Sequence, residues 1–133
     1  MRVLALDYGS ARCGCALSDP TGTLATPIEP IARPATRKGF ARVVDLVRDR
    51  GAERVVVGLP LGLSGADTDQ TRETRAWADR LGAAIAVPVE LYDERFTTAI
   101  AARSAGDRTS EDSHAAAVLL EDWLAHHGRE VAG

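Results

Sequence analysis

Residues 3–17, VLALDYGSARCGCAL, contain two apolar runs on either side of a short polar turn. The first run ends at Asp7 and the second begins at Cys13. Gly9 and Ser10 between them are typical turn residues, so the pattern predicts a β-hairpin. An aspartate at the end of an apolar strand is costly to bury unless its charge is compensated, and Asp7 is therefore a functional candidate.

The remainder of the chain alternates between helix and strand patterns. Pro27 interrupts the stretch 23–28, and Pro20 and Pro30 flank it, which predicts a short edge strand because proline cannot donate a hydrogen bond to a neighbouring strand. A β-branched apolar run predicts a buried central strand over 54–58, and an apolar stretch that Pro88 interrupts predicts another strand over 85–91. Apolar periodicity and capping residues predict four helices. The first covers 36–50 and stops at Gly51, and the second runs from Asp67 or Thr68 to about Leu81 and stops at Gly82. The third runs from Thr97 or Thr98 to about Ser104, and the fourth covers 112–126.

This order of elements predicts an α/β fold, a doubly wound mixed sheet of five strands with helices on both faces. Ligands of such sheets gather beyond the carboxyl ends of the parallel strands. Those ends carry Asp7, Gly58 and Glu94, so we expect the functional site there. The length suits one domain and is too short for two, so we expect a single domain over residues 1–133.

The charge of the chain does not by itself indicate a nucleic-acid-binding protein. Its formal net charge is −3 at pH 7, whereas domains that bind nucleic acids are commonly basic. The basic residues are nearly all arginines, with Lys38 the single lysine, and a guanidinium group suits bidentate phosphate contacts. A local phosphate-binding surface and an arginine-rich surface that serves solubility are both compatible with this composition.

The first residues lack the long apolar region of a signal peptide, and no apolar run reaches membrane-spanning length. We therefore expect a cytoplasmic protein that does not contact membranes. Cys13 and Cys15 are predicted to be buried thiols, since their spacing on a strand suits neither a disulfide nor a zinc site. The three histidines are predicted to be helix residues without a metal.

Three carboxylates, Asp7, Glu94 and Asp112, are the candidate catalytic and metal-binding residues. Two are predicted at strand ends and the third in the first turn of a helix, from where their oxygens could converge on Mg²⁺ or Mn²⁺. Ordinary alternatives exist, because Asp7 can cap the hairpin turn and Asp112 fits the third position of a capping box that begins at Thr109. Asp93 competes with Glu94, since adjacent strand residues point to opposite faces and only one can share the site of Asp7.

A carboxylate site of this kind predicts hydrolysis without a protein nucleophile. Two metal ions roughly 3.5–4 Å apart can activate a water on one side of a phosphodiester and stabilise the leaving oxygen on the other. The histidines, cysteines and serines form no recognisable catalytic triad. Arg12 in the first turn and Arg95 beside Glu94 are placed to contact phosphate; a solvated turn residue and a structural ion pair are the respective alternatives.

Four ordered blocks of sequence carry a family resemblance. They are LDYGSAR (6–12) leading into GCALSD (14–19), VGLPL (57–61), DERFTT (93–98), and Asp112 followed by Ala115, Ala116, Leu119 and Leu120. With these blocks the chain resembles, almost from end to end, the YqgF family of Holliday-junction-resolvase-like proteins and nucleases of small-subunit ribosomal RNA precursors. Four blocks in order are much more specific than any one of them.

The resemblance implies a ribonuclease-H-like fold, with Asp7, Glu94 and Asp112 as catalytic residues that bind Mg²⁺ or Mn²⁺. It also implies a nucleic-acid partner. Maturation of the 5′ end of pre-16S ribosomal RNA is the first expectation, and action on Holliday junctions, branched DNA or single-stranded DNA is the second. A monomer and a homodimer are both compatible with the sequence.

The chain departs from the family pattern at 104–108, SAGDR, where a longer basic segment is usual. If that segment holds substrate, weaker binding or a preference for single strands is expected here. A non-catalytic nucleic-acid-binding module is the chief alternative function, although all three acids are present. A phosphotransferase of the actin-like class is a second alternative, for which 133 residues are too few.

Overall fold

The structure is a computed structural model that describes residues 1–61, 64–93 and 109–132, the side chains of 109–112 and 128–132 excepted. Its elements are strands β1 (Val3–Asp7), β2 (Arg12–Ser18) and β3 (Ala25–Ala32), helix α1 (Arg37–Asp49), strand β4 (Arg54–Leu59), helix α2 (Asp69–Ala84), strand β5 (Val89–Asp93) and helix α3 (Thr109–Ala132). The helix predicted from Thr97 or Thr98 to about Ser104 lies outside the described residues. In the described part of the chain, no helix is both long and apolar enough to cross a membrane.

The five strands form one mixed sheet in the order β3-β2-β1-β4-β5. The pairs β1–β2 and β2–β3 are antiparallel, whereas β4 is parallel to both β1 and β5. Helices α1 and α2 pack on one face of the sheet, and α3 covers the other. This arrangement confirms the predicted α/β fold, a five-stranded sheet with helices on both faces.

The central strands are apolar along most of their length because each lies between two layers of helix. In β1, Leu4 and Leu6 pack toward α1 and α2, whereas Val3 and Ala5 pack toward α3. Successive side chains of a strand point to opposite faces, so a strand covered on both sides needs an unbroken apolar run. Both cysteines of β2 are thiols outside any disulfide and are buried on the α1/α2 face, which confirms the prediction of buried thiols.

The edge strand β3 is longer than predicted. It runs over Ala25–Ala32, whereas the sequence predicted a short strand within 23–28. Pro27 and Pro30 both lie inside it, which is possible because an edge strand needs only half of its backbone donors for pairing. The predicted edge position of this strand is confirmed.

The other edge strand, β5, begins later than predicted. The sequence predicted a strand over 85–91, but β5 begins at Val89 and extends to Asp93. Pro88 separates the strand from the bends before it, and its carbonyl oxygen accepts a hydrogen bond from the amide of Val55 at 2.9 Å. The pairing with β4 therefore starts only where proline no longer removes a donor.

The helix bounds differ from the predicted ones at the end of α2 and at both ends of α3, which runs to Ala132 rather than to the predicted residue 126. Thr36 caps α1, and Gly51, with a φ of 65°, follows its end as predicted. Thr68 caps α2 as predicted, but the helix continues through Gly82, so the predicted stop there is wrong. One glycine inside a helix costs only about 1 kcal/mol, which the packing of α2 on the sheet offsets. Helix α3 begins at Thr109, before the predicted start at residue 112.

Two helical glycines differ in the space around them, which predicts opposite effects of alanine. A Cβ on Gly39 would clash with the carbonyl oxygens of Arg33 and Ala32, the latter at 2.7 Å, whereas a Cβ on Gly82 would meet only Val89, at 3.8 Å. Gly39→Ala should therefore lower the free energy of unfolding by about 1–3 kcal/mol. Gly82→Ala should raise it by about 0.5–1 kcal/mol, and urea denaturation measures both. A stabilising Gly39→Ala would contradict the close approach of α1 to the end of β3.

Candidate active site at the carboxyl edge of the sheet

The carboxyl ends of β1, β4 and β5 lie at one edge of the sheet, and Asp7 is the last residue of β1. Asp7 is 8% exposed and has the same strand parity as Ala5, so it lies on the face that α3 covers. Gly14 of β2 is directly opposite Asp7, and continuation of the β1–β4 pairing brings Gly58 beside it on the other side. No side chain from either neighbouring position therefore fills the space beside the Asp7 carboxylate.

Tyr8 anchors the predicted turn after Asp7 to the opposite face of the sheet. Its hydroxyl donates to Glu73 Oε2 at 2.6 Å, and its ring packs against that of Trp77 with centroids 4.8 Å apart. Burial and the hydrogen bond to Glu73 raise the pKa of Tyr8 above its usual value, so the phenol remains a donor. Trp77 in turn donates to the carbonyl oxygen of Pro34 at 3.1 Å. These contacts fix the direction in which the chain leaves β1, and with it the position of Asp7.

The parity of β5 distinguishes the two adjacent acids Asp93 and Glu94. Leu91 packs toward α1 and α2, and Asp93 has the same parity. Asp93 therefore lies on the opposite face from Asp7. Glu94 and Arg95 are outside the described residues, so their predicted roles stay predictions.

The first turn of α3 is held against β2 and β3 by the hydroxyl of Ser113, which is buried. This hydroxyl accepts a hydrogen bond from the amide of Cys15 at 3.5 Å and donates to the carbonyl oxygen of Ile28. Cys15 and Ile28 are ladder partners, and Cys15 follows the residue opposite Asp7. Asp112 immediately precedes Ser113, so its backbone is held close to this edge of the sheet. The side chain of Asp112 lies outside the described part of the chain, and so do the contacts of the predicted capping box.

Among the described residues, no three His, Cys, Asp or Glu side chains lie close enough together to hold a metal ion. Asp7 is the one predicted ligand whose side chain is described. Its surroundings fit a hard divalent cation, because a buried carboxylate with glycines on both neighbouring strands offers oxygen ligands and space for water.

A groove of about 540 Å³ adjoins this edge, between β3 and the first turn of α3. It is lined by Arg12, Pro27, Ile28, Glu29, Pro30, Ala32 and Ser113. Arg12 is the first residue of β2 and shares the parity of Gly14, the residue opposite Asp7. The structure therefore brings Arg12, a predicted phosphate-binding residue, to the same face and the same edge as Asp7.

The RuvX family, described as Holliday junction resolvase, matches residues 1–126. The chain belongs to the RuvX family. Two curated relatives are named "Putative pre-16S rRNA nuclease". The one from Mycobacteroides abscessus is 42% identical over 96% of this chain and 83% of its own length, and the one from Maridesulfovibrio salexigens is 36% identical over 94% and 98%. The resemblance drawn from the four sequence blocks is confirmed.

The RuvX-family fold is similar to that of RuvC from Thermus thermophilus. The RuvC structure in complex with Holliday junction substrate has a TM-score of 0.60 and 16% identity, with 96% of both chains covered. A second RuvC structure also gives a TM-score of 0.60, at 17% identity over 96% of this chain and 97% of that one. At these identities the likeness concerns the fold alone, and it confirms the predicted ribonuclease-H-like fold.

In this RuvX-family chain the second half of α3 is hydrogen-bonded to β5. The hydroxyl of Tyr92 donates to Asp122 Oδ2 at 2.6 Å, and Trp123 Nε1 donates to Glu90 Oε2 at 3.1 Å. Arg54 forms an ion pair with the same Glu90 at 3.0 Å. Burial and the hydrogen bond to Asp122 raise the pKa of Tyr92, so this phenol also remains a donor. Together with the hydrogen bonds of Ser113, these contacts hold α3 on the sheet at two places along its length.

Two features of the RuvX-family site were not predicted from the sequence: the hydrogen bonds of Ser113 that bridge α3 to β2 and β3, and the groove along β3. Ser113 is a buried polar residue at the start of the apolar stripe of α3, and its position beside Asp112 was a usable signal. Pro27 and Pro30 on either side of Glu29 were a signal of irregular edge geometry. Neither signal identifies the partner strand, which depends on the tertiary arrangement.

Proposed function

We propose that this chain is a metal-dependent nuclease whose first substrate is the 5′ region of pre-16S ribosomal RNA. A single observation carries the proposal: Asp7 is a buried carboxylate at the carboxyl edge of the sheet, on the face that α3 covers and with glycines on both neighbouring strands. RNA comes first because the curated relatives are named for 16S rRNA. Cleavage of Holliday junctions or other branched DNA is the second candidate, favoured by the description of the family.

Asp7, Glu94 and Asp112 would hold the metal, which we expect to be Mg²⁺ or Mn²⁺ because all three donors are carboxylate oxygens. When bound, such ions supply an activated water and stabilise charge on the leaving oxygen. Asp7 contributes a ligand whose position is fixed by the strand rather than by a mobile loop. A carboxylate placed in this way needs little reorganisation when it binds a cation.

The packing around the site supports the choice of the other two acids. Asp93 has the parity of Leu91, which packs toward α1 and α2 on the face opposite Asp7, so we favour Glu94 over Asp93 as the partner of Asp7. The Ser113 bridge supports Asp112, because it holds the preceding residue close to the position opposite Asp7. One chain would supply all three acids, so catalysis requires no second copy.

Arg12 and Arg95 would contact substrate phosphates beside the acids. Positive charge at the site is needed because the chain as a whole is acidic, and phosphate contacts supply most of the affinity of nucleic-acid binding. We further propose a single nuclease domain over residues 1–133, located in the cytoplasm, where ribosomal RNA precursors are processed.

A substrate panel tests the proposal. The purified protein is incubated with a labelled pre-16S 5′-leader RNA, a single-stranded DNA and a four-way DNA junction, each with Mg²⁺, Mn²⁺ or EDTA. We expect cleavage of the RNA in either metal and none in EDTA. Cleavage of the junction alone would identify branched DNA, rather than RNA, as the substrate. Binding without cleavage of any substrate would identify the chain as a non-catalytic module.

A further inference from the structure

The groove between β3 and α3 has features of a nucleotide site that the catalytic carboxylates do not explain. Its volume of about 540 Å³ lies within the usual range for small-ligand sites, roughly 300–1,000 Å³. A cation, Arg12, and an anion, Glu29, line the same groove, and apolar surface from Pro27, Ile28 and Pro30 lies with them. A nucleotide presents the same combination of groups: a phosphate, a flat apolar base and polar base edges.

The groove exists because the pairing of β3 with β2 is irregular. Cys13 pairs with Ile31, but Cys15 pairs with Ile28, so β3 has one residue more than β2 over this interval. Such a bulge redirects the side chains of the strand and is common beside active sites. The bulge includes Glu29, which is exposed and thus free of the packing that holds the apolar residues of β3.

The groove is also continuous with the proposed catalytic edge. Gly14 is paired with Asp7 on one side, and the bulge of β3 faces Gly14 on the other. Neighbouring strands are about 4.8 Å apart, so the bulge is about 10 Å from Asp7 across the sheet. A nucleic-acid strand cut at Asp7 would place a neighbouring nucleotide in this groove.

We propose that this groove binds a guanine nucleotide of a single-stranded RNA substrate next to the scissile bond, a role that rests on the proposed nuclease function. The Arg12 guanidinium contacts the phosphate of this nucleotide, and the Glu29 carboxylate accepts hydrogen bonds from the base. An ionised carboxylate is purely an acceptor, and guanine is the one standard base with two adjacent donors, N1–H and N2–H, on its Watson–Crick edge. Adenine, cytosine and uracil each place an acceptor beside their donor, where it would face the carboxylate oxygens.

Binding measurements without cleavage test this proposal. In an Asp7→Asn background with EDTA, fluorescence anisotropy compares oligouridylates that contain one guanosine, one inosine, one adenosine or none. We expect the guanosine oligomer to bind roughly five-fold or more tightly than the inosine oligomer, which lacks the 2-amino group, and than the adenosine oligomer. Glu29→Gln should remove this preference, and Arg12→Ala should weaken all four oligomers to a similar degree.

Asp45→Asn is the matched control. Asp45 is an exposed acid that lines the separate groove between β3 and α1, to which Glu29 also contributes, but it does not line the groove beside α3. Its substitution should leave the guanosine preference intact. Equal affinity for the guanosine and adenosine oligomers, or a preference that survives Glu29→Gln, would overturn the proposal.

The outcome can be separated from that of the proposed function, because binding is measured in a variant that need not cut. A guanosine preference in a protein that cleaves no substrate would support the guanine site and contradict the proposed nuclease function. Metal-dependent cleavage of RNA with no guanosine preference would support the nuclease function and contradict the guanine site.

Discussion

Asp7→Asn should reduce the rate of RNA cleavage by about three orders of magnitude while leaving the fold intact. Metal ions contribute several kcal/mol to the stabilisation of a phosphoryl transition state, and each 1.36 kcal/mol corresponds to a factor of about ten in rate. Asparagine has the size and shape of aspartate, so the packing between Gly14 and Gly58 is kept, but the negative charge that binds the metal is lost. Single-turnover cleavage of the leader RNA at saturating Mg²⁺ or Mn²⁺ measures the loss.

Asp93→Asn is the matched control for this experiment. It makes the same chemical change at the same edge of the sheet, but Asp93 has the parity of the α1/α2 face. Its cleavage rate should stay within about three-fold of that of the parent protein, since a side chain on the opposite face of the sheet is not a ligand of the metal and solvent ions screen its charge. A loss as large as that of Asp7→Asn would show that Asp93, rather than Glu94, completes the carboxylate set. Thermal melts of both variants exclude unfolding as the cause.

Patterns that repeat within one element were sufficient to predict much of the fold. The hairpin of β1 and β2 follows from two apolar runs around Gly9, and α1 from helical spacing between Thr36 and Gly51. The apolar stripe of α3, which includes Trp123, is buried as its periodicity indicated. These features depend on local geometry, which the sequence records directly.

The boundaries that the sequence predicted wrongly depend on tertiary contacts. The run from residue 85 has the composition of a strand, but pairing begins only at Val89, where β4 is available as a partner. Gly82 is a reasonable helix stop by propensity, yet the packing of α2 on β5 carries the helix past it. Local propensity is a weak prior that such packing overrides.

The candidate site also contains residues that the sequence could predict and others that depend on tertiary contacts. The sequence indicated Asp7 because a carboxylate at the end of an apolar strand is unusual, and the structure places it at the expected edge. The sequence could not decide between Asp93 and Glu94, because alternation fixes only their relative orientation. The pairing of β5 with β4, and the position of α3 on one face, are needed to say which face is which. The groove at Glu29 could not be predicted from the sequence either, since a bulge depends on how two strands pair.

Trp123→Ala should lower the free energy of unfolding by about 3–5 kcal/mol, a large share of the roughly 5–15 kcal/mol that stabilises a typical domain. Trp123 is fully buried, stacks on His127 with centroids 4.4 Å apart and donates to Glu90 at 3.1 Å. Truncation would leave a cavity between α3 and the sheet. It would also remove a hydrogen bond from Glu90, which retains its ion pair with Arg54. Urea denaturation should show a lower midpoint with an unchanged slope.

Trp123→Phe separates the two parts of this effect. Phenylalanine keeps most of the apolar contact but cannot donate to Glu90, so its cost should be clearly smaller than that of alanine, about 1–2 kcal/mol. Because Ser113 holds the first turn of α3 independently, the phenylalanine variant should cut RNA at the parent rate well below its melting temperature. If it instead lost activity while remaining folded, the hydrogen bond between Trp123 and Glu90 would also contribute to the position of Asp112 at the metal site. A cost for alanine below about 1 kcal/mol would contradict the packing of α3 itself, since a fully buried tryptophan cannot be removed so cheaply from a close-packed core.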